Sequence, residues 1–193
     1  MVILLYPNNS KKVYNPNVCY DNRGMDLEYL INMACNFYIE KDIAYIYKKP
    51  TPIKIVKTSY NNAGKRITDA FFELPSTLDF NGIYKGYYIE FDAKKTQNKT
   101  SFPLNNISKH QIKHIYNINN HGGIVFLIIE INQEYYVLEG TILLSFIKNE
   151  TRKSIPYDFI KVKGHKIKLT INGLDFINIV DELIRRQNEK NKN

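Results

Sequence analysis

Apolar residues recur at three-and-four spacing through Leu27, Leu30, Ile31, Ala34 and Phe37 or Tyr38. This predicts an amphipathic helix that starts near Arg23-Gly24 and is capped by Asn22. Residues 1–22 lack such periodicity and read as an N-terminal arm rich in Tyr, Asn, Pro and Lys. Alternation at Ala44–Tyr47 predicts a strand, and Pro50-Thr51-Pro52 breaks the chain before a second, Ile53–Lys57. Thr58–Leu74 is a polar, basic stretch with Asn61-Asn62, Gly64, Lys65-Arg66 and Phe71-Phe72, which reads as an excursion from the core. A hairpin follows: Leu78–Phe80, a turn at Asn81-Gly82 or Lys85-Gly86, then Tyr87–Lys95. Ser108 caps a helix to about Asn119 that buries Ile112, Ile115 and Ile118. The apolar run Gly123–Ile131 has the profile of a central strand covered on both faces, and Glu134–Leu138 pairs with it across Asn132-Gln133. A short helix at Gly140–Ile147, a basic alternating piece from Ile160 to Leu169 and a closing helix at Gly173–Arg186 complete the order. Residues 187–193 are expected to form a flexible, solvated tail. The order predicts an α/β sandwich around a mixed sheet, with residues 23–186 as one domain.

Composition narrows the class. The chain has 193 residues, 44% of them hydrophobic, which is enough for one sizeable core. Two cysteines, Cys19 and Cys35, exclude a disulfide-rich scaffold and a four-cysteine zinc site, and both read as small apolar fillers. Met1–Leu5 has no basic residues before it and soon meets Pro7, so it is not read as a signal peptide, and no spanning segment is expected. The expected protein is cytoplasmic, with no membrane partner. Its formal charge of +8 attracts polyanions, nucleic acid first among them.

The chemistry concentrates in Tyr88-Ile89-Glu90-Phe91-Asp92-Ala93-Lys94. On a strand, Glu90, Asp92 and Lys94 share one face while Ile89, Phe91 and Ala93 share the other. Asp79, thirteen residues upstream on the partner strand, is placed to face Asp92. Two convergent carboxylates make a hard-oxygen site suited to Mg²⁺. A lysine beside them steadies charge on a phosphate or helps a water lose its proton. An acid followed by acid-x-Lys on the next strand resembles the restriction-endonuclease-like nucleases. The competing reading of the strand is a solvated polar face in which Glu, Asp and Lys alternate for solubility.

Lys94, Lys95, Lys99, Lys109 and Lys113 cluster in sequence around these acids as candidate phosphate contacts. Lys65 and Arg66, with Phe71-Phe72, would add cations and stacking surface on the excursion. His110 and His114 have the spacing of a zinc-protease helix, but Gln111 stands where the general base would be, and no third ligand is evident.

Several motifs occur in a fixed order: Arg23-Gly24-Met25 with Leu27-Glu28; Pro50-Thr51-Pro52-Ile53; Pro75-Ser76-Thr77-x-Asp79-Phe80-Asn81-Gly82; and Asp92-Ala93-Lys94. Ser101-Phe102-Pro103-Leu104, His110-Gln111 and Lys153-Ser154-Ile155-Pro156 follow. Together, over roughly Asn22 to Ile160, they resemble the RecU-type Holliday-junction resolvases. The resemblance implies a restriction-endonuclease-like core, with a central mixed sheet flanked by helices and a projecting stalk at the place of Thr58–Leu74. It implies a homodimer that nicks four-way DNA symmetrically with Mg²⁺ or Mn²⁺ during recombination and repair, leaving 5′-phosphates. Recombination proteins are candidate further partners. By the same resemblance Thr77, Asp79, Asp92 and Gln111 hold metal, Gln111 through its amide oxygen. Lys94 stabilises the transition state, and Glu28 is a lesser catalytic candidate. The family usually has Glu where this chain has Asp92, one methylene shorter, and its arm is often longer and more basic. Glu90 sits where an acid is also usual and is expected to be an outer partner of the site.

Two rival functions remain open at this point. One is a nuclease of the same fold acting on other branched or sequence-defined DNA. The other is a junction-binding protein whose nuclease site has decayed.

Overall fold

A computed structural model describes residues 26–61, 64–72 and 77–190; the expected arm, with Asn22 and Cys19, lies outside this range. Helix α1 (Leu27–Glu40) is followed by β1 (Tyr45–Lys48), a two-stranded excursion of β2 (Ile53–Asn61) and β3 (Gly64–Phe72), then β4 (Phe80–Tyr84) and β5 (Tyr87–Lys95). After β6 (Ser101–Pro103) come α2 (Lys109–Asn120), β7 (Ile124–Ile131), β8 (Glu134–Glu139) and α3 (Gly140–Asn149). The chain ends with β9 (Ser154–Pro156), α4 (Tyr157–Lys163), β10 (His165–Lys166), β11 (Lys168–Thr170), β12 (Gly173–Asp175) and α5 (Ile177–Lys190).

Six strands form the central sheet in the order β1-β4-β5-β7-β8-β10. Only β5 and β7 run parallel among its pairs, so the sheet is mixed, and α2 lies on the crossover between them. All eight residues of β7 are buried, as its unbroken apolar sequence requires of a strand covered on both faces. On one face, α1 and α5 pack against Ile46, Phe80, Ile89, Phe91, Phe126 and Ile128. The rings of Phe80, Phe91 and Phe126 stack across three adjacent strands at 4.9 and 4.8 Å, with Phe176 edge-on at 5.2 Å from Phe91. On the other face, α2, α3 and α4 cover Val125, Leu127, Ile129 and Leu138. That second helical layer leaves β1 and β4 bare. Tyr45 is 63% exposed and Ile83 58%, and Tyr47 and Tyr88 also stand open. Strand β1 lies close on β4, because a Cβ at Gly82 would fall 2.1 Å from the Tyr45 carbonyl oxygen.

Several expectations change. The excursion begins at Ile53 and is an antiparallel pair of strands, from Ile53 with Phe72 to Asn61 with Gly64, its register shifting on either side of Lys57. Of the two turns considered for the next hairpin, the chain uses Lys85-Gly86, with φ of 50° and 82°. The alternation from Ile160 to Leu169 is not one strand: Ile160 belongs to α4. Pro156 enters that helix in an extended conformation, Asp158 lies in its first turn, and Lys161 and Lys163 lie in its last, matching the helix dipole. The closing helix starts at Ile177, not Gly173. Gly173 has φ +97° in a strand pressed onto α1, where a Cβ would meet the Leu30 carbonyl at 2.2 Å. Helix α5 then runs to Lys190, into the stretch expected to be a tail.

Candidate active site

Strand β5 carries the candidate site on the face under α2. The alternation expected from its sequence holds: Ile89 and Phe91 enter the aromatic core, while Glu90 and Asp92 point the other way. That second face is not a solvated one, because both acids are completely buried. Helix α2 forms their roof. Ser108 caps it in a reciprocal box, with its hydroxyl accepting from Gln111 N at 3.4 Å and its own N–H donating to Gln111 Oε1 at 3.1 Å. The box turns the Gln111 amide nitrogen inward, where it donates to Asp92 Oδ2 at 2.6 Å.

Lys94 Nζ lies 2.9 Å from the same Asp92 oxygen. The other oxygen, Oδ1, is buried with no hydrogen-bond partner in the structure. Asp79 occupies the bend before β4, one step beyond the paired Phe80 and Phe91, which brings its carboxyl against Asp92. Burial first, and the Asp79 carboxyl second, push the Asp92 pKa well above the usual range, with Lys94 opposing. An unpartnered buried carboxylate oxygen facing a second carboxylate is a costly arrangement, and a hard cation between the two removes both faults. Among the described residues no group of three or more His, Cys, Asp and Glu converges. The donor set is therefore a carboxylate pair with neutral oxygens near it. This fits Mg²⁺, which takes one or two carboxylates and completes its shell with water and substrate phosphate.

Glu90, two residues away, has a different setting. It accepts from the Lys49 ammonium, the Tyr88 hydroxyl at 2.7 Å and the Leu78 N–H at 3.3 Å, and it contacts His114 Nε2 at 2.9 Å. Burial alone would raise its pKa, but the bonds from Lys49, Tyr88 and His114 outweigh burial and hold it below its usual value. Lys49 and Tyr88 were missed by sequence reasoning as members of this site. His114 carried a signal, since it follows Gln111 by three residues on a helix and so shares its face. Lys49 carried none beyond its charge.

The other expected residues are dispersed. Thr77 is half-buried at the start of the Asp79 bend. Gln111 is in place, but in reverse of the expected sense. Its oxygen accepts the capping bond from the Ser108 N–H, and its nitrogen donates to the Asp92 oxygen that Lys94 also contacts. The Glu28 carboxylate is engaged by Lys48, whose ammonium is also raised in pKa by nearby Asp79, so Glu28 and Asp79 share that lysine's neighbourhood. Lys109 and Lys113 lie on the exposed side of α2, and Lys65 and Arg66 on the exposed hairpin. Lys95 points to the opposite face of the sheet. It pairs there with Glu130 at 2.7 Å and lines a cleft with Lys99, away from Asp92. Cys35 is buried in the core with its thiol pKa pushed up to about 12 by burial, which makes it a packing group.

Paired carboxylates, a lysine held against one of them and a helix-borne amide are the kinds of group that a metal-assisted phosphodiesterase would use. The chain matches the family Recombination protein U over residues 22–182. It is 44% identical over 180 residues to proteins of Staphylococcus aureus strains JH9 and COL, each named Holliday junction resolvase RecU; the alignment spans 90% of this chain and 86% of each relative. The chain belongs to the Recombination protein U family. A solved structure of Archaeoglobus fulgidus Hjc, described as a Holliday junction resolvase, aligns with 68% of this chain and 90% of its own at a TM-score of 0.40 and 9% identity. A likeness that loose adds nothing to the assignment.

A buried carboxylate held for function is a stability cost in the metal-free protein. Asp92→Asn, measured by thermal unfolding in EDTA, is expected to raise the midpoint, by about 1 kcal/mol in stability. A lower midpoint would show that the Asp92 carboxylate is instead satisfied where it lies.

Proposed function

We propose that this chain is a divalent-metal-dependent endonuclease that resolves four-way DNA junctions by paired symmetric nicks. The observation that carries the reading is the Asp92 carboxylate: completely buried, one oxygen unpartnered, with Asp79 and Lys94 beside it, in a chain of the Recombination protein U family. Asp79 and Asp92 are the residues that would hold Mg²⁺ or Mn²⁺, with Thr77 at the mouth of the bend. The bound ion would supply positive charge at the phosphate and acidify a water.

The chain's own groups do the rest. Lys94, anchored on Asp92, places an ammonium where charge gathers on the phosphate oxygens. Gln111 steadies the Asp92 carboxylate through its amide nitrogen, while its oxygen accepts the capping bond from Ser108. Water oxygen attacks phosphorus in line, the bond to the 3′-oxygen breaks, and that oxygen takes up a proton. The products are a 5′-phosphate and a 3′-hydroxyl. Lys109 and Lys113 on α2 and Lys65 and Arg66 on the hairpin are the cations best exposed for phosphate contacts. The nuclease domain of this reading is residues 23–186. Among the described residues no helix is long and apolar enough to cross a membrane, and the reading places the protein in the cytoplasm with DNA.

Symmetric nicking needs two sites, hence a homodimer with two-fold symmetry. The bare face of β1 and β4 is the surface that suits it. Tyr45, Tyr47, Ile83 and Tyr88 are neutral, and the adjacent Lys48 and Lys49 are already paired with Glu28 and Glu90. A cation-depleted aromatic patch suits a second copy of itself better than a phosphate backbone.

The enzymatic reading is tested by incubating the protein with a mobile four-way junction and an equal-length linear duplex, in Mg²⁺, Mn²⁺ or EDTA. Expected are paired nicks in the junction alone, lost in EDTA and reduced at least about 100-fold by Asp92→Asn. Cutting of the duplex would favour a general nuclease, and binding without cutting a decayed one. For the surface, Ile83→Glu is expected to convert a dimer to a folded monomer by light scattering, whereas Val162→Glu, at an exposed residue of α4, leaves the dimer intact. A dimer that survives Ile83→Glu would exclude this face.

A further inference from the structure

Glu90 has more partners than a buried carboxylate needs for neutrality, and their positions are informative. Leu78, whose N–H donates to Glu90, lies inside the bend between Thr77 and Asp79. Lys49 reaches the same bend twice: its ammonium binds Glu90, and its backbone N–H donates to the Asp79 carbonyl at 2.7 Å. The third partner, His114, stands one helical turn from Gln111 on α2, the residue that grips Asp92. Glu90 itself is on β5, two residues from Asp92, and so moves with it. One carboxylate therefore ties together the three segments that carry Asp79, Asp92 and Gln111.

We propose that Glu90 and Lys49, with His114, form a clamp that sets the separation of the Asp79 and Asp92 carboxylates. They are positioning residues that touch neither metal nor phosphate. The inference rests on the reading that the two aspartates hold the metal. Its physical basis is the weakness of the bend. Asp79 precedes the first paired residue of β4 and is held to the sheet on one side alone, by the backbone bond from Lys49, while Asp92 lies within a strand paired on both sides. Mg²⁺ demands near-ideal geometry at about 2.1 Å, so a carboxylate free to drift by a fraction of an ångström is a poor ligand. Anchoring the bend to Glu90 transfers the rigidity of β5 to Asp79. Partners of this outer kind change metal affinity by about 10- to 100-fold when removed.

The test is the affinity of the full chain for Mn²⁺ by isothermal titration calorimetry, with binding of a synthetic four-way junction in EDTA measured in parallel. Glu90→Gln and Lys49→Met are expected to weaken Mn²⁺ binding about 10-fold or more, to leave junction binding within about two-fold of wild type, and to keep the circular dichroism of the folded chain. Lys49→Arg, which retains the charge and both bonds, is expected to restore most of the affinity. Lys49 is partly open to solvent, so Lys49→Met keeps the test decisive should Glu90→Gln not fold. A folded Lys49→Met with wild-type Mn²⁺ affinity would overturn the clamp. Asp92→Asn separates the two claims: if it too binds Mn²⁺ normally, the acid pair is not the metal site and the underlying reading fails instead.

Discussion

Two carboxylates meet, one completely buried and the other half-buried, and most of the molecule is arranged around that fact. Asp92 has no surface exposure and one oxygen without a partner, and Asp79 faces it. Left alone, such a pair repels, and each charge loses hydration that its neighbours only partly replace. Lys94 and Gln111 compensate on one oxygen of Asp92 and leave the other for something cationic. The same arrangement that makes the site costly empty is what makes a hard divalent ion welcome in it.

The fold supplies the rigidity this needs. Asp92 projects from β5, between an antiparallel neighbour and a parallel one, and its core-facing neighbour Phe91 is stacked between Phe80 and Phe126. Helix α2 is held over the strand by Ile115 in the core, and its capping box aims Gln111 inward. The β1 edge of the sheet is open: a bare aromatic face on β1 and β4, and between those strands a hairpin whose described apolar residues all stand exposed. A two-stranded hairpin is marginal in isolation. Its exposed Ile, Tyr and Phe side chains are consistent with a surface completed by DNA or by a second subunit.

Much of the candidate site was legible because a strand alternates with period two. That rule placed Glu90, Asp92 and Lys94 together and Asp79 opposite them, and Ser108 before an apolar periodic run announced the cap of α2. Applied strictly, it would also have put Lys95 on the far face with Phe91 and Ala93. Proximity in sequence misled there, since neighbouring residues of a strand point apart. Lys49 and His114 meet Glu90 across 41 and 24 positions, a distance over which no local pattern operates. Helix α4 was hidden because seven residues are too few to show a helical period inside an alternating basic stretch. The orientation of the Gln111 amide is set by the capping bond to its oxygen and by Asp92 against its nitrogen, which composition cannot express.

The claim on which the account turns is that Asp79 and Asp92 share one metal ion. The most direct measurement is anomalous diffraction from crystals of the protein soaked in Mn²⁺. The account predicts a single strong peak between the two carboxylates, bound by the Asp92 oxygen that has no partner without metal. A peak at Glu28, at Glu90 or in the Lys95–Glu130 cleft, with none between the aspartates, would contradict it.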